Sequence, residues 1–150
     1  MQEVLTAITR AVSPSMAACE LSFREREPID IARATEQHQL YQACLAELGV
    51  KVISLAAEPH YPDAVFVEDV GIVLDEVAVM TRPGAPSRRG ESASLARELE
   101  RFRPLRWIRE PATLDGGDVM RAGHTLYVGR SGRTSASGIQ QLAAEVEPFG

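Results

Sequence analysis

The chain has 150 residues and a formal net charge of −5, and 45% of its residues are apolar while 25% are charged. This composition is ordinary for a globular domain with a core, and the acidic balance argues against a protein that binds nucleic acid along its phosphates. The N-terminus lacks a signal-peptide pattern, no apolar run reaches transmembrane length, and the two cysteines form no C-x-x-C pair, so we expect a cytoplasmic single unit without a membrane partner, disulfide framework or structural metal.

The first predicted element is a helix between Pro28 and Gly49, followed directly by a strand. Apolar residues recur there at helical spacing, and these are Ile31, Ala34, Leu40, Tyr41, Cys44, Leu45 and Leu48. Residues 50–55 show the alternation expected of a strand and are rich in β-branched side chains. This part of the chain therefore predicts an amphipathic helix that leads into a sheet.

The next part of the chain contains a repeat. Asp69 aligns with Asp118 at an offset of 49 residues (118 − 69), and the apolar residues that follow also match, namely Val70 with Val119, Val77 with Leu126, and Val79 with Val128. Each copy begins with a short acidic segment, 68–69 or 115–118, which we call an acidic corner. A strand, a turn at 75–76 or 123–124, a second strand, a loop rich in Arg, Gly and Ser, and a helix are predicted to follow it.

The predicted helices of the two copies cover residues 92–102 and 135–146, each with a loop serine as its candidate N-cap, and a further strand covers 104–109. The chain thus reads as about three β-β-α-β modules, the first of which is incomplete at its front. Such alternation predicts an α/β fold in which helices cover the outer side of a sheet.

Acidic residues cluster where the first copy begins. If a strand starts at Phe66, then Glu68 and Asp69 lie near its start and point to opposite faces of the sheet. Asp63 is close to them in the sequence. Charged residues at such a position are most often solvated. Here the flanking residues 70–74 are strongly apolar, so we expect one carboxylate in a partly desolvated position that favours pairing with a cation.

Asp115 and Asp118 bracket two glycines in the second copy. Glycine permits close approach of a ligand, although a tight turn capped by the two aspartates is the alternative interpretation. Arg88 and Arg133 lie in the loops that follow the second strand of each copy, where a solvated arginine is also common. Because arginine binds a carboxylate through paired hydrogen bonds, carboxylates and arginines together predict a site for a zwitterionic small molecule that carries a guanidinium group, such as arginine.

No catalytic nucleophile stands out from the spacing of the residues. His38, His60 and His124 fall in a helix, a linker and a turn, without a nearby nucleophile-and-base pair. Cys19 precedes the first helix, and Cys44 lies on the apolar stripe of that helix, which predicts a buried and inert thiol.

The motifs resemble those of the dimethylarginine dimethylaminohydrolase family. The resemblance is carried by residues 62–69, 81–91 and 114–118, and by 30–34 and 37–41 in the first helix. It implies the pentein fold, a five-bladed α/β propeller that is incomplete in this chain, with the active site in its central channel. It also implies hydrolysis of methylated arginine to citrulline and a methylamine, through a covalent intermediate on a cysteine and without a cofactor.

The resemblance also implies a role for each matching residue. Asp69 and Asp115 would hold the guanidinium group, and Glu68 would contribute beside them. The residues that would hold the amino-acid end are Asp63, Arg88 and Arg133. Val12 would lie in a mobile, lid-like loop that covers the site.

The family pattern places its catalytic residues elsewhere. Its general acid/base histidine follows the third helix, and its nucleophilic cysteine lies near the C-terminus of a much longer chain. Neither Cys19, Cys44 nor any of the histidines occupies these places. We therefore expect residues 1–150 to be the N-terminal part of a pentein domain, truncated after the helix of the third module, with both catalytic residues beyond Gly150 and no activity of its own.

Two alternatives stay open at this point. The first is a non-catalytic module that binds arginine-like amino acids or forms a homo-oligomer through unpaired strand edges. The second is an active enzyme in which Cys44 or Cys19 serves as the nucleophile.

Overall fold

The structure is a computed structural model that describes residues 5–21 and 23–149, and the chain divides after Val67 into two units. Each unit has its own secondary structure, with a parallel strand pair in the first and two β-β-α modules in the second. None of the helices in the described ranges is long and apolar enough to span a membrane.

The first unit contains β1 (Thr6–Arg10), α1 (Ile31–Glu47) and β2 (Lys51–Leu55). β1 and β2 pair in parallel over five residues each, and α1 connects them. The predicted helix and the strand after it are confirmed, whereas β1 lies in a segment where the sequence pattern predicts no strand. A parallel pairing joins residues far apart in the chain, so no local turn signal marks β1 as a strand.

The structure agrees with only part of the apolar stripe that the helical spacing predicts for α1, because Ile31, Ala34 and Leu45 are half-buried and the other residues of the stripe are exposed. The helix contains no buried residue, and Leu40, Tyr41 and Leu48 are 69%, 55% and 75% exposed. Cys44 is also exposed, so the expectation of a buried thiol there is wrong. A polar residue of the helix also contacts the strands, because the Gln42 amide donates to the hydroxyls of residues 9 and 54 in β1 and β2, at 2.7 and 3.0 Å.

The described residues of the second unit form five strands and two α-helices. They are β3 (Gly71–Val73), β4 (Ala78–Met80), α2 (Ser92–Leu99), β5 (Leu105–Trp107), β6 (Val119–Ala122), β7 (Thr125–Val128) and α3 (Ala136–Val146). β3 and β4 are antiparallel, β4 and β5 are parallel, and β6 and β7 form an antiparallel hairpin. The predicted β-β-α-β order is confirmed, and α2 ends three residues before the expected residue 102.

Each module of the second unit begins with a single 3-10 turn rather than with a strand. The turns are Val67–Asp69 and Gly116–Asp118, which lie at the same 49-residue offset as the sequence repeat. The expectation that a strand starts at Phe66 is therefore wrong, because β3 begins only at Gly71. As a result, Asp69 and Asp118 occupy the last position of equivalent turns, each directly before a hairpin.

The serine cap predicted for the two helices forms at only one of them. Ser135 caps α3, where its hydroxyl accepts a hydrogen bond from the Gly138 amide at 3.0 Å. α2 instead begins after Glu91, whose side chain makes no cap hydrogen bond. The Glu91 carboxylate is bound to Arg88, so it is not available to the first amides of the helix.

The core of the second unit lies between the hairpins and α3. One cluster of its buried residues consists of Ile72, Val79, Ile108, Ala112, Leu114 and Leu142. Leu114 is fully buried and directly precedes Asp115, and an isolated bridge pairs it with Arg82. Burial of a leucine contributes about 2 kcal/mol, so this packing holds the start of the acidic turn firmly in place.

Candidate functional site

A buried arginine lies at the centre of the first acidic corner. Arg88 ends the 3-10 turn Pro86–Arg88, and its side chain is only 4% exposed. Its Nη1 donates to Asp69 Oδ2 at 2.8 Å, while Nε and Nη2 donate to the Glu91 carboxylate at 3.0 and 2.8 Å. Burial lowers the pKa of Arg88, but its hydrogen bonds with Glu91 and Asp69 outweigh that effect and hold the pKa above its usual value.

The second acidic corner places a buried carboxylate beside an exposed arginine. Asp115 is 1% exposed, its Oδ1 accepts from the Gly117 amide at 3.0 Å, and its Oδ2 lies 3.5 Å from Arg133 Nη1. The Arg133 side chain is 45% exposed. Oδ2 accepts no hydrogen bond from any residue that the structure describes. Desolvation, and then the charge of Asp69, raise the pKa of Asp115.

The two corners meet at Gly117, which is exposed to solvent. A side-chain carbon at that position would lie 2.8 Å from Asp69 Oδ1 and 3.1 Å from Asp115 Oδ1. Two carboxylate oxygens therefore face the same small space, which glycine leaves without a side chain. A planar guanidinium group, with several N–H donors and a positive charge, matches such a pair of acceptors.

Four of the site residues predicted from the sequence come together in the second unit. They are Asp69, Arg88, Asp115 and Arg133. Glu68 belongs to the same corner, but its side chain is exposed, and its backbone carbonyl lies where a side chain on Gly116 would be. The roles of these residues toward a ligand stay predictions.

The two remaining predicted site residues belong to the first unit. Asp63 is buried, and its carboxylate accepts from the Glu20 amide at 3.0 and 3.3 Å. Val12 is half-buried in the loop after β1. The neighbouring Ser13 attaches this loop to the chain, because its hydroxyl donates to the carbonyl of residue 58 at 2.8 Å.

These contacts include three residues of the second unit to which the sequence analysis assigned no role. Glu91 holds Arg88, and the spacing of three residues between them is a signal that could have found it. Asp118 and Thr134 form a hydrogen bond of 2.6 Å beside Asp115. For Asp118, the signal was its alignment with Asp69 in the repeat.

The second unit contains no cysteine, since both cysteines precede residue 68. Cys19 is buried and Cys44 exposed in the first unit. His124 lies in the turn between β6 and β7, whereas Asp115 lies before the opposite end of β6. In the ranges that the structure describes, no group of three or more His, Cys, Asp or Glu residues is arranged to hold a metal ion.

Replacing Asp115 by asparagine should remove a stability penalty that grows with pH. The pKa of Asp115 is raised above 3.8 in the folded chain, so the unfolded chain loses this proton first as the pH rises. Between the pKa of Asp115 in the unfolded chain and its pKa in the folded chain, a rise in pH therefore lowers the free energy of unfolding of the wild type. Urea unfolding between about pH 3.5 and pH 7 should show the free energy of unfolding of Asp115→Asn, minus that of the wild type, increasing and then levelling off. A pH-independent difference would contradict this.

Comparison with known proteins identifies the family. A family model described as N,N dimethylarginine dimethylhydrolase, eukaryotic, matches residues 10–148. The N(G),N(G)-dimethylarginine dimethylaminohydrolase of Streptomyces coelicolor is 44% identical over 145 residues, which cover 96% of this chain and 56% of the relative. That of Pseudomonas aeruginosa is 40% identical over 123 residues, which cover 81% of this chain and 48% of the relative. The chain thus spans about half the length of these curated relatives.

The fold agrees with this sequence similarity. A mutant of the Pseudomonas aeruginosa dimethylarginine dimethylaminohydrolase, solved in complex with citrulline, superposes with a TM-score of 0.92 at 35% identity. The superposition covers 97% of this chain and 57% of that structure. The expected pentein-type α/β fold is confirmed, and the chain belongs to the dimethylarginine dimethylaminohydrolase family.

Proposed function

We propose that this chain is the N-terminal part of a hydrolase that converts methylated arginine to citrulline and a methylamine, and that it carries substrate-binding residues of that enzyme. The observation that carries the proposal is the pair of carboxylates around Gly117. Relatives that are 44% and 40% identical and bear the name of this hydrolase support it.

In this proposal, Asp69 and Asp115 bind the guanidinium end of the substrate. Their Oδ1 atoms face the same space beside Gly117. Arg88 donates to Asp69 through Oδ2 at 2.8 Å, which leaves Oδ1 turned toward the ligand. Glu68, exposed at the same corner, contributes negative charge beside them.

Arg133 is the arginine best placed to bind the carboxylate of the amino-acid end. Its side chain is 45% exposed, and its 3.5 Å contact with Asp115 is longer than a good hydrogen bond. A substrate carboxylate offers it a charged partner with bidentate geometry. The family resemblance assigns Arg88 and Asp63 to this end as well, and it places Val12 in a mobile, lid-like loop that covers the site. We keep these assignments as proposals.

The hydrolysis itself requires a thiolate that attacks the guanidinium carbon, expels the methylamine and forms a covalent intermediate that water then cleaves. No cysteine lies in the unit that holds the carboxylates. We therefore propose that the cysteine and its histidine belong to the part of the relatives that this chain does not cover, and that no cofactor takes part.

A binding function without catalysis is the second candidate. The specific observation in its favour is that the described carboxylate and arginine cluster contains no cysteine or histidine. Adding the C-terminal part of the Streptomyces coelicolor relative separates the two candidates. Citrulline release from dimethylarginine by the mixture, and not by either part alone, supports the hydrolase. If the mixture also releases no citrulline, the result supports a binding function without catalysis.

Calorimetric titration of the chain with dimethylarginine tests the proposed site. We expect binding at ligand concentrations up to about 1 mM, and weaker binding of citrulline because it lacks the positive charge. Asp69→Asn should weaken binding at least tenfold, since a half-buried charge partner of the ligand is lost. The matched control is Asp75→Asn, an aspartate that is 73% exposed and paired with Arg121 at the hairpin turns. No heat with the wild type, or equal affinity of Asp69→Asn, would count against the site.

A further inference from the structure

A chain of hydrogen bonds connects the backbones of Asp115 and Arg133. The Thr134 and Ser131 hydroxyls both donate to Asp118 Oδ2, at 2.6 and 2.7 Å. Thr134 Oγ1 accepts from the Asp115 amide at 3.1 Å, and Ser131 Oγ accepts from the Arg133 amide at 3.0 Å. Asp118 Oδ2 therefore connects the backbone of the buried Asp115 with that of the exposed Arg133.

The charge of Asp118 determines the direction of these bonds. A hydroxyl has one proton to donate, and an ionised carboxylate only accepts, so both hydroxyl protons point to Asp118. Their lone pairs are then left for the backbone amides of Asp115 and Arg133. Hydrogen bonds to a charged acceptor are also shorter and stronger than neutral ones, in agreement with the 2.6 and 2.7 Å distances.

A similar arrangement, with a different partner for the aspartate, occurs in the module that begins at the turn Val67–Asp69. Asp69 and Asp118 end equivalent 3-10 turns 49 residues apart. Asp69 binds Arg88, and Asp118 binds Ser131 and Thr134, so each corner aspartate holds the loop that follows the second strand of its own module. Asp69 also faces the space beside Gly117, whereas the Asp118 carboxylate accepts from the Ser131 and Thr134 hydroxyls.

We propose that Asp118 is a positioning residue, which fixes Asp115 and Arg133 relative to each other through Thr134 and Ser131. This inference rests on the proposed function, in which Asp115 and Arg133 bind opposite ends of one ligand. The spacing between these ends sets the length of ligand that is bound, so Asp118 contributes to specificity for an amino acid that carries both a guanidinium and a carboxylate.

The test compares arginine with agmatine, which is arginine without its carboxylate, in calorimetric titrations of the full chain. Asp118→Ala and Thr134→Val should each lower the affinity for arginine about tenfold more than the affinity for agmatine. Thr134→Ser keeps the hydroxyl and should restore the wild-type ratio. General destabilisation would lower both affinities equally. Thr125→Val, the same substitution at an exposed position of β7, is the matched control.

The effects of Asp118→Ala and Thr134→Val on the affinity for arginine should also be non-additive. If Asp118 and Thr134 act as one unit, the double variant should bind arginine no more weakly than the worse single variant, within about twofold. An unchanged arginine-to-agmatine ratio in both folded single variants would overturn the proposal, and so would full additivity in the double variant.

Hydrogen exchange in the ligand-free chain keeps this test independent of the proposed function. The Asp115 amide should exchange about tenfold faster in Thr134→Val than in the wild type, and Thr134→Ser should restore its protection. If the wild type binds neither dimethylarginine nor arginine, the proposed function fails. Unchanged exchange at Asp115 in Thr134→Val would instead overturn the positioning role, whatever the wild type binds.

Discussion

Replacing Glu91 by leucine is expected to lower the free energy of unfolding by about 3–5 kcal/mol. Glu91 is 1% exposed and accepts hydrogen bonds from Arg88 Nε and Nη2. Its removal takes one of its carboxylate partners away from the buried guanidinium. An incompletely paired charge away from water is costly, because its hydration is lost without full compensation. Urea unfolding followed by circular dichroism measures the effect.

Glu98→Gln is the matched control for this prediction. Glu98 and Arg101 have the same three-residue separation, but the Arg101 side chain is 67% exposed, so the loss should stay within about 0.5 kcal/mol. If Glu91→Leu fails to fold, Glu91→Gln keeps the shape and part of the hydrogen bonding and should show a smaller loss in the same direction. Equal effects of Glu91→Gln and Glu98→Gln would show that burial of the first pair has no energetic consequence.

Replacing Gly116 by alanine should destabilise the second unit by about 3 kcal/mol and weaken ligand binding as well. The added side-chain carbon would lie 1.9 Å from the Glu68 carbonyl oxygen, a backbone atom that moves only with its turn. The two acidic turns must then separate, and Asp69 moves away from Asp115. Thermal unfolding measures the first effect, and calorimetry with dimethylarginine measures the second.

Gly132→Ala provides the control for the glycine substitution. Apart from its two chain neighbours, no residue that the structure describes has a heavy atom within 4 Å of a side-chain carbon built on Gly132, and the φ of Gly132 is not positive. Alanine there should be neutral or stabilise the chain by up to about 1 kcal/mol, because it restricts the unfolded state. A Gly116→Ala variant as stable as Gly132→Ala would mean that the turns do not approach each other as the structure describes.

The order of elements in the second unit was predictable from the sequence because its signals are local. Alternating apolar residues, turn residues and the 49-residue repeat indicated both hairpins and the helix that follows each of them. The strand β1 was missed, because its partner β2 lies 45 residues further along the chain at every position of the register. The burial of α1 was predicted only in part, since Ile31, Ala34 and Leu45 are half-buried, the rest of the predicted stripe is exposed, and polar Gln42 also contacts the strands.

By itself, the sequence determined the α/β module order, the family and the types of residue at the candidate site. Acidic corners and arginine loops could be recognised from composition and spacing alone. Only the tertiary structure decided how these charges are paired, with Arg88 buried between Asp69 and Glu91, and Asp115 beside the exposed Arg133. The reason is physical: burial and distance set the strength of a charge interaction, and both depend on residues that are far apart in the chain.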